Sequence, residues 1–200
     1  MNIEKEAEID RDWLTVQNYQ FKILVMIAAL AENKLAFRGK LKDMCEFLGV
    51  ASSSYNNTKI KEAIAALEKK GDILVLKEGQ TWTLTLSVKA ERKPKVVRIK
   101  NAWIKLIQSY QAPEGKEVAW ENILKVFVFL CADKEDIKTY EGIAAVLNLK
   151  FDVVRRAVWA LDVIDFNDID FKRKLAWFKT EDGEFKVKGQ RMEVGYNFEK

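Results

Sequence analysis

Residues 51–61 of this chain read ASSSYNNTKIK. Ser52, Ser53, Ser54, Asn56, Asn57 and Thr58 supply short hydroxyl and amide groups, and Lys59 and Lys61 follow at once. Such groups hydrogen-bond anionic oxygens, and a lysine adds a compact positive charge. The chemistry on offer is recognition of a polyanion. The same residues also suit a solvated loop that closes on a helix N-cap, as polar loops commonly do.

Other chemistries are poorly supplied. The chain has no His and two Cys, Cys45 and Cys131, each inside a helix-like stretch where a thiol packs as a small apolar group. A structural zinc site has almost no ligands to draw on, and Ser-His or Cys-His nucleophile pairs are excluded. Glu121, Asp133 and Glu141 form no recognisable acid–base pair. Asp162, Asp165, Asp168 and Asp170 cluster, but their spacing matches no EF-hand loop and reads as a solvated acidic turn. The sequence therefore calls for no catalytic residue, no metal and no cofactor, and the chain is expected not to be an enzyme.

The elements that position the polar stretch are set by patterning. Two hundred residues, 48% apolar with eleven Phe, suffice for one large domain or two small ones, and two Pro with nine Gly argue against a turn-rich all-β sandwich. The opening MNIEKEAEIDRDW is acidic and lacks an apolar h-region, and the longest apolar run, Ile23 to Ala31, falls short of the ~20 residues that span a bilayer. The expected location is the cytoplasm, with no membrane partner. Charge is uneven. An acidic tail, 1–12, is followed by net +4 over 13–90, net +5 over 91–116 and net −2 over 117–200. A polyanion would be drawn to the first half and the connector.

Period-3.6 spacing of Val16, Tyr19, Ile23, Met26, Ile27 and Leu30 predicts a deeply buried helix over 15–31. A loop holding Gly39 leads to a short helix, LKDMCEFLG, with Gly49 in the C-cap position. The next helix, from about Thr58 to Lys70, carries the stripe Ile60, Ile64, Leu67 and stops at Gly71. ILVLKEGQTWTLTLS then alternates as a hairpin turning at Glu78-Gly79. ERKPKVVRIK reads as a linker, with VVRI as a candidate short strand and 101–110 as a candidate helix. The plan recurs over 117–200: a helix over 118–132, a second with Thr139 as N-cap, a third over VVRRAVWALDVI, then a hairpin or small sheet built from LAWFKT, EFKVKG and QRMEVGYNF. Leu48-Gly49-Val50 aligns with Leu147-Asn148-Leu149, Cys45 with Ala144, and Ile60, Ile64, Leu67 with Val154, Val158, Leu161. The first copy holds about five extra residues, ASSSY.

MCEFLGV, KIKEAIAALEKKGDI and LVLKEGQTWTLTL together resemble the winged helix-turn-helix family. The likeness runs over about 15–88 and extends to 118–198 in outline, where DVID stands in place of KKGDI. FRGKLKDMCEFLG is most similar to modules of plasmid and phage replication initiators or replisome organisers. The resemblance implies an α+β chain of two tandem winged-helix domains, three helices plus a β-hairpin wing each, at 13–90 and 117–200, joined by a basic connector at 91–116. It implies sequence-specific binding of double-stranded DNA in replication of a mobile element. A transcriptional repressor would need the same module, and a winged-helix protein scaffold is the alternative of another class. In the first copy Ser53, Ser54, Asn56, Asn57, Thr58, Lys59 and Lys61 would meet bases and phosphates, Lys40 and Lys42 the adjacent backbone, and Lys77 the wing contact. Lys95 and Arg98 would add the connector. In the second copy Arg155, Arg156, Lys186 and Lys188 are the candidates, and that half would also supply a contact to a second copy of the chain or to a replication partner. Its aromatics, Trp103, Trp120, Phe127, Phe129, Trp159 and Trp177, fall at core spacing, with base stacking as the alternative.

Overall fold

Helix α1 (Asn18–Leu30) is buried over every residue from Gln20 to Ala29 and organises the N-terminal half of the chain. The computed structural model describes residues 1–31, 36–87, 95–132 and 139–166 with their side chains, and the backbone of 169–179 and 185–196. The chain is α+β and divides into two compact units, Met1–Ala102 and Trp103–Lys200. No described helix is long and apolar enough to cross a membrane.

In unit 1 the elements run β1 (Glu6–Asp10), a 3₁₀ turn (Arg11–Thr15), α1, β2 (Ala36–Gly39), α2 (Leu41–Leu48), α3 (Ser54–Lys69), β3 (Ile73–Glu78), β4 (Thr81–Leu86) and β5 (Val96–Lys100). One antiparallel sheet has the order β2-β4-β3, and a separate ribbon pairs β1 with β5. Residues on one side of α1, Ile23, Leu24, Met26 and Ile27, share a core with Met44, Cys45 and Leu48 of α2, Ile60, Ile64 and Leu67 of α3, and Leu84 of β4. Phe21, Val25 and Ala28 fall on the opposite side of the same helix by its 3.6 period and are also buried. Ala28 lines a cleft there with Glu6, Glu8 and Arg98 of the β1–β5 ribbon. Two buried faces explain why α1 is apolar all round.

Three expectations change. Residues 6–10 form a strand where a tail was read. Ala7 and Ile9 are fully buried while Glu6 and Glu8 are exposed, an alternation that the dense charge concealed. Its partner β5 comes from the segment read as a connector, so tail and connector are one ribbon, with Glu8 directly opposite Arg98. The loop before Gly39 contains β2, too short to show a period; pairing with β4 makes it a strand, from Ala36 opposite Thr85 to Gly39 opposite Trp82. Finally α3 begins at Ser54, four residues before Thr58, because Ser53 caps it: the Ser53 Oγ accepts from the Asn56 N–H at 3.2 Å.

Unit 2 holds most of α4 (Asn101–Ser109), then α5 (Trp120–Ala132), α6 (Tyr140–Leu147), α7 (Phe151–Val163) and the antiparallel pair β6 (Ile169–Lys179) and β7 (Phe185–Tyr196). Its core is aromatic. Trp103 meets Phe127 edge-on at 5.9 Å, and Phe127 stacks on Phe166 at 5.3 Å. Trp103, Phe127 and Phe129 are buried, so stacking on bases is closed to them. Trp120 and Trp159 are half-buried, and the side chain of Trp177 lies outside the described residues. Thr139 caps α6 by accepting from the Gly142 N–H at 3.0 Å.

Candidate nucleic-acid interface

The polar stretch is the opening of a helix. After α2, Gly49 takes the left-handed conformation (φ 67°) that ends the helix, and the Val50 N–H returns to the Cys45 carbonyl at 3.0 Å. Five residues later α3 begins. Its buried residues are Ile60, Ala63, Ile64 and Leu67. The first of these is the seventh residue of the helix, so nearly two turns precede the buried stripe.

Helical spacing divides the opening turns into an inner and an outer side. Asn56 continues the inner stripe, at i−4 from Ile60 and i−8 from Ile64. Its Nδ2 donates to the Ala51 carbonyl at 2.9 Å, and its Oδ1 accepts from the Tyr19 hydroxyl at 3.3 Å. Asn57 is half-buried, and its Oδ1 accepts from the Cys45 thiol at 3.4 Å. These two amides tie the turn to α1 and α2. They are part of the scaffold, where the sequence suggested base readers.

The outer side carries Ser54, Tyr55, Thr58, Lys61, Glu62 and Ala65, all exposed. Thr58 spends its hydroxyl proton on the Ser54 carbonyl at 2.9 Å. Lys59 is half-exposed and hydrogen-bonded to Glu62 at 3.0 Å, and that carboxylate holds its pKa above the ordinary lysine value. Its charge is largely answered within the helix. Lys40, Lys42, Lys61 and Lys69 are exposed, and none has an ion pair among the described residues. Lys40 stands at the start of α2, where its N–H donates to the Asp43 carboxylate at 2.7 Å. Lys77, on the hairpin, places its Nζ 5.0 Å from the centre of the Trp82 ring.

The remaining candidates stand elsewhere. Arg98 belongs to the β1–β5 ribbon, packed on the side of α1 turned away from α3, and Lys95 immediately precedes β5. Arg98 is ion-paired with Glu8 at 3.3 Å, and the Lys95 carbonyl accepts from the Arg11 N–H at 3.0 Å. The acidic residues of β1 thus offset the charge of the connector. In unit 2, Arg155 pairs with Asp152 one turn back at 3.1 Å, and Arg156 donates to the Glu117 carbonyl at 3.0 Å. Lys186 and Lys188 lie on β7, and their side chains are outside the described residues. Asp162 and Asp165 are exposed, while the side chains of Asp168 and Asp170 are outside the described residues.

Tyr55 was absent from the sequence-based set. It is 68% exposed on the outer side of α3. Starting the helix at Ser54 would have revealed it, since the same period that turns Asn56 inward turns Tyr55 out. No protein-family model matches the chain, and comparison with curated proteins and with solved structures gives no match either.

Proposed function

We propose that this chain binds double-stranded DNA through the outer face of α3, with unit 1 acting as a winged-helix module in replication of a mobile element. The observation that carries this reading is the length of α3 ahead of its buried stripe. Those turns offer a hydroxyl and an aromatic ring, with the Lys61 ammonium just after Ile60, at the N-terminal end of a helix, the end that contacts base edges when a helix enters the major groove. Lys40 and Lys42 add charge at the neighbouring helix, and the β3–β4 hairpin supplies a wing bearing Lys77. The carboxylates of the face, Glu62 and Glu68, lie farther along the helix, and Glu62 is occupied by Lys59. The test is titration of the full chain with random-sequence and selected duplexes at several salt concentrations. Affinity should fall steeply with salt, and selection should enrich a defined sequence. Affinity indifferent to salt would end the proposal.

A second role belongs to unit 2. Its arginines at the matching helix are held within the unit, and Val146, Phe151 and Val163 are exposed. Charge satisfied internally and apolar side chains facing water favour a protein contact over a phosphate backbone.

A further inference from the structure

The outer face of α3 also indicates what it would read. Resting on the proposal that α3 enters a DNA groove, we infer that Tyr55 and Thr58 select thymine, by apolar contact with its C5-methyl group. The side-chain amides are turned away from this face. Asparagine amides pair with adenine in the major groove, but Asn56 is bonded through both groups to Tyr19 and Ala51, and Asn57 is half-buried with its Oδ1 accepting from Cys45. Thr58 has donated its proton to the Ser54 carbonyl, which leaves its methyl group and lone pairs. What projects is a phenol ring that is 68% exposed and the Thr58 methyl three residues on, flanked by Lys61 and the Ser54 hydroxyl; Glu62, held by Lys59, separates them from the Ala65 methyl about two turns past Thr58. The thymine methyl is the one apolar feature that a base pair presents in the major groove. An aromatic ring and a methyl group beside a lysine that has no ion pair among the described residues are complementary to that methyl next to a phosphate.

Deoxyuridine tests this, because it differs from thymidine only by the missing methyl. A duplex recovered by selection on the full chain would be resynthesised with single thymidines replaced. For the unaltered protein, replacement at the contacted positions should weaken binding about fourfold per methyl, the worth of one buried methyl group. Tyr55→Ala should bind more weakly and lose that sensitivity at one position. Tyr55→Phe should keep it, since the ring is retained. Lys61→Ala should weaken thymidine and deoxyuridine duplexes alike. Equal affinity of the unaltered protein for both duplexes, or loss of the sensitivity in Tyr55→Phe, would overturn the inference while leaving DNA binding in place. Failure to bind any duplex at low salt would overturn the DNA-binding proposal and this inference together.

Discussion

Helices α3 and α7 occupy matching places in the two units and begin differently. In both, a short helix ends on a left-handed residue, Gly49 (φ 67°) or Asn148 (φ 51°), and the next N–H returns to the carbonyl of Cys45 or Ala144 at 3.0 Å. The following helix then buries Ile60, Ile64 and Leu67 in one unit and Val154, Val158 and Leu161 in the other. Ile60 is the seventh residue of α3, whereas Val154 is the fourth of α7. Of the five extra residues in the first unit, two lengthen the turn and three extend the helix. The extension lifts polar and aromatic groups beyond the core. The second unit keeps its helix start close to the core and engages both arginines internally. The same backbone plan thus offers an outward-reaching helix in one place and a closed one in the other.

The sharpest way to break this comparison is to remove charge from each helix in turn. Lys59→Ala with Lys61→Ala should weaken binding to a selected duplex by about 1–3 kcal/mol, with Lys61 carrying the larger share because Lys59 is bound to Glu62. Arg155→Ala with Arg156→Ala should cost less than about 0.5 kcal/mol in the same anisotropy titration. Equal losses would mean that both units read DNA. Unfolding curves should be close to unchanged for the lysine pair, which lies outside the buried stripe.

The central helices each bury a lysine, and that of α5 makes a prediction about pH. In α1 the buried Lys22 reaches over the Tyr19 ring at 5.2 Å. In α5, Lys125 is 2% exposed, and burial pushes its pKa down to about 8 against the opposing pull of Glu121. Above about pH 8 the folded chain has released this proton, while the unfolded chain holds it up to the ordinary lysine value of 10.5. Unfolding free energy should therefore rise between those limits, and the full penalty applies below pH 8. The gain should be about 1.5 kcal/mol, less than the whole shift converts to, since relaxation around the charge moderates its cost. Urea unfolding at pH 7.5 and pH 10 would measure it, and Lys125→Met should flatten the difference. An unchanged slope in that variant would place the titration elsewhere.

Much of this architecture could be read in the sequence where periodicity was long. The buried course of α1, the stripe of α3, the hairpin at Gly79 and the Thr139 cap all follow from spacing and turn chemistry. What escaped had short or masked signals. β2 is four residues and exists through its pairing with β4. β1 alternates, but its glutamates resemble a charged tail until the partner strand is known. The candidate surface was half legible. Polar composition marked residues 52–61, yet composition does not say which side of a helix each residue faces. Placing the helix start at Thr58 left Asn56 and Asn57 in a loop, free to point anywhere. Moving it to Ser54 turns Asn56 inward, half-buries Asn57 and turns Tyr55 outward. Charge totals did not reveal the pairing of the connector with β1, a long-range contact between residues 6–10 and 96–100.

Cys45 and Ala144 sharpen the comparison at its closest point, where the first helix of each pair approaches the second. The Cys45 thiol is 2% exposed and donates to Asn57. Cys45→Ala gives unit 1 the residue of unit 2 and should cost about 1 kcal/mol, through the lost sulfur packing and the Asn57 carbonyl oxygen left without this partner. Urea midpoints would measure the cost. In the unaltered protein the thiol should resist labelling under native conditions, and rapid labelling would contradict its burial.

The smallest expected effect concerns the caps. Ser53 caps α3 through its side chain, whereas Lys150 at the same place before α7 makes no side-chain cap bond. Its backbone is already extended (φ −70°, ψ 144°), the conformation an N-cap residue requires. A lysine there also places positive charge against the positive end of the helix dipole. Lys150→Ser should remove that opposition and let a hydroxyl accept from one of the first N–H groups of α7. Asp152, already in the first turn, would remain favourably placed and paired with Arg155. The two contributions together should stabilise unit 2 by about 0.5–1 kcal/mol, read as a shift of the urea midpoint. Duplex affinity is the discriminating measurement. If the start of α7 faces a protein partner or solvent, binding to DNA should be unchanged while stability rises. If Lys150 sits on a phosphate, affinity should drop and its salt slope should shrink by about one contact. That second outcome would make the start of α7 a DNA contact in its own right and remove the functional contrast between the two helices.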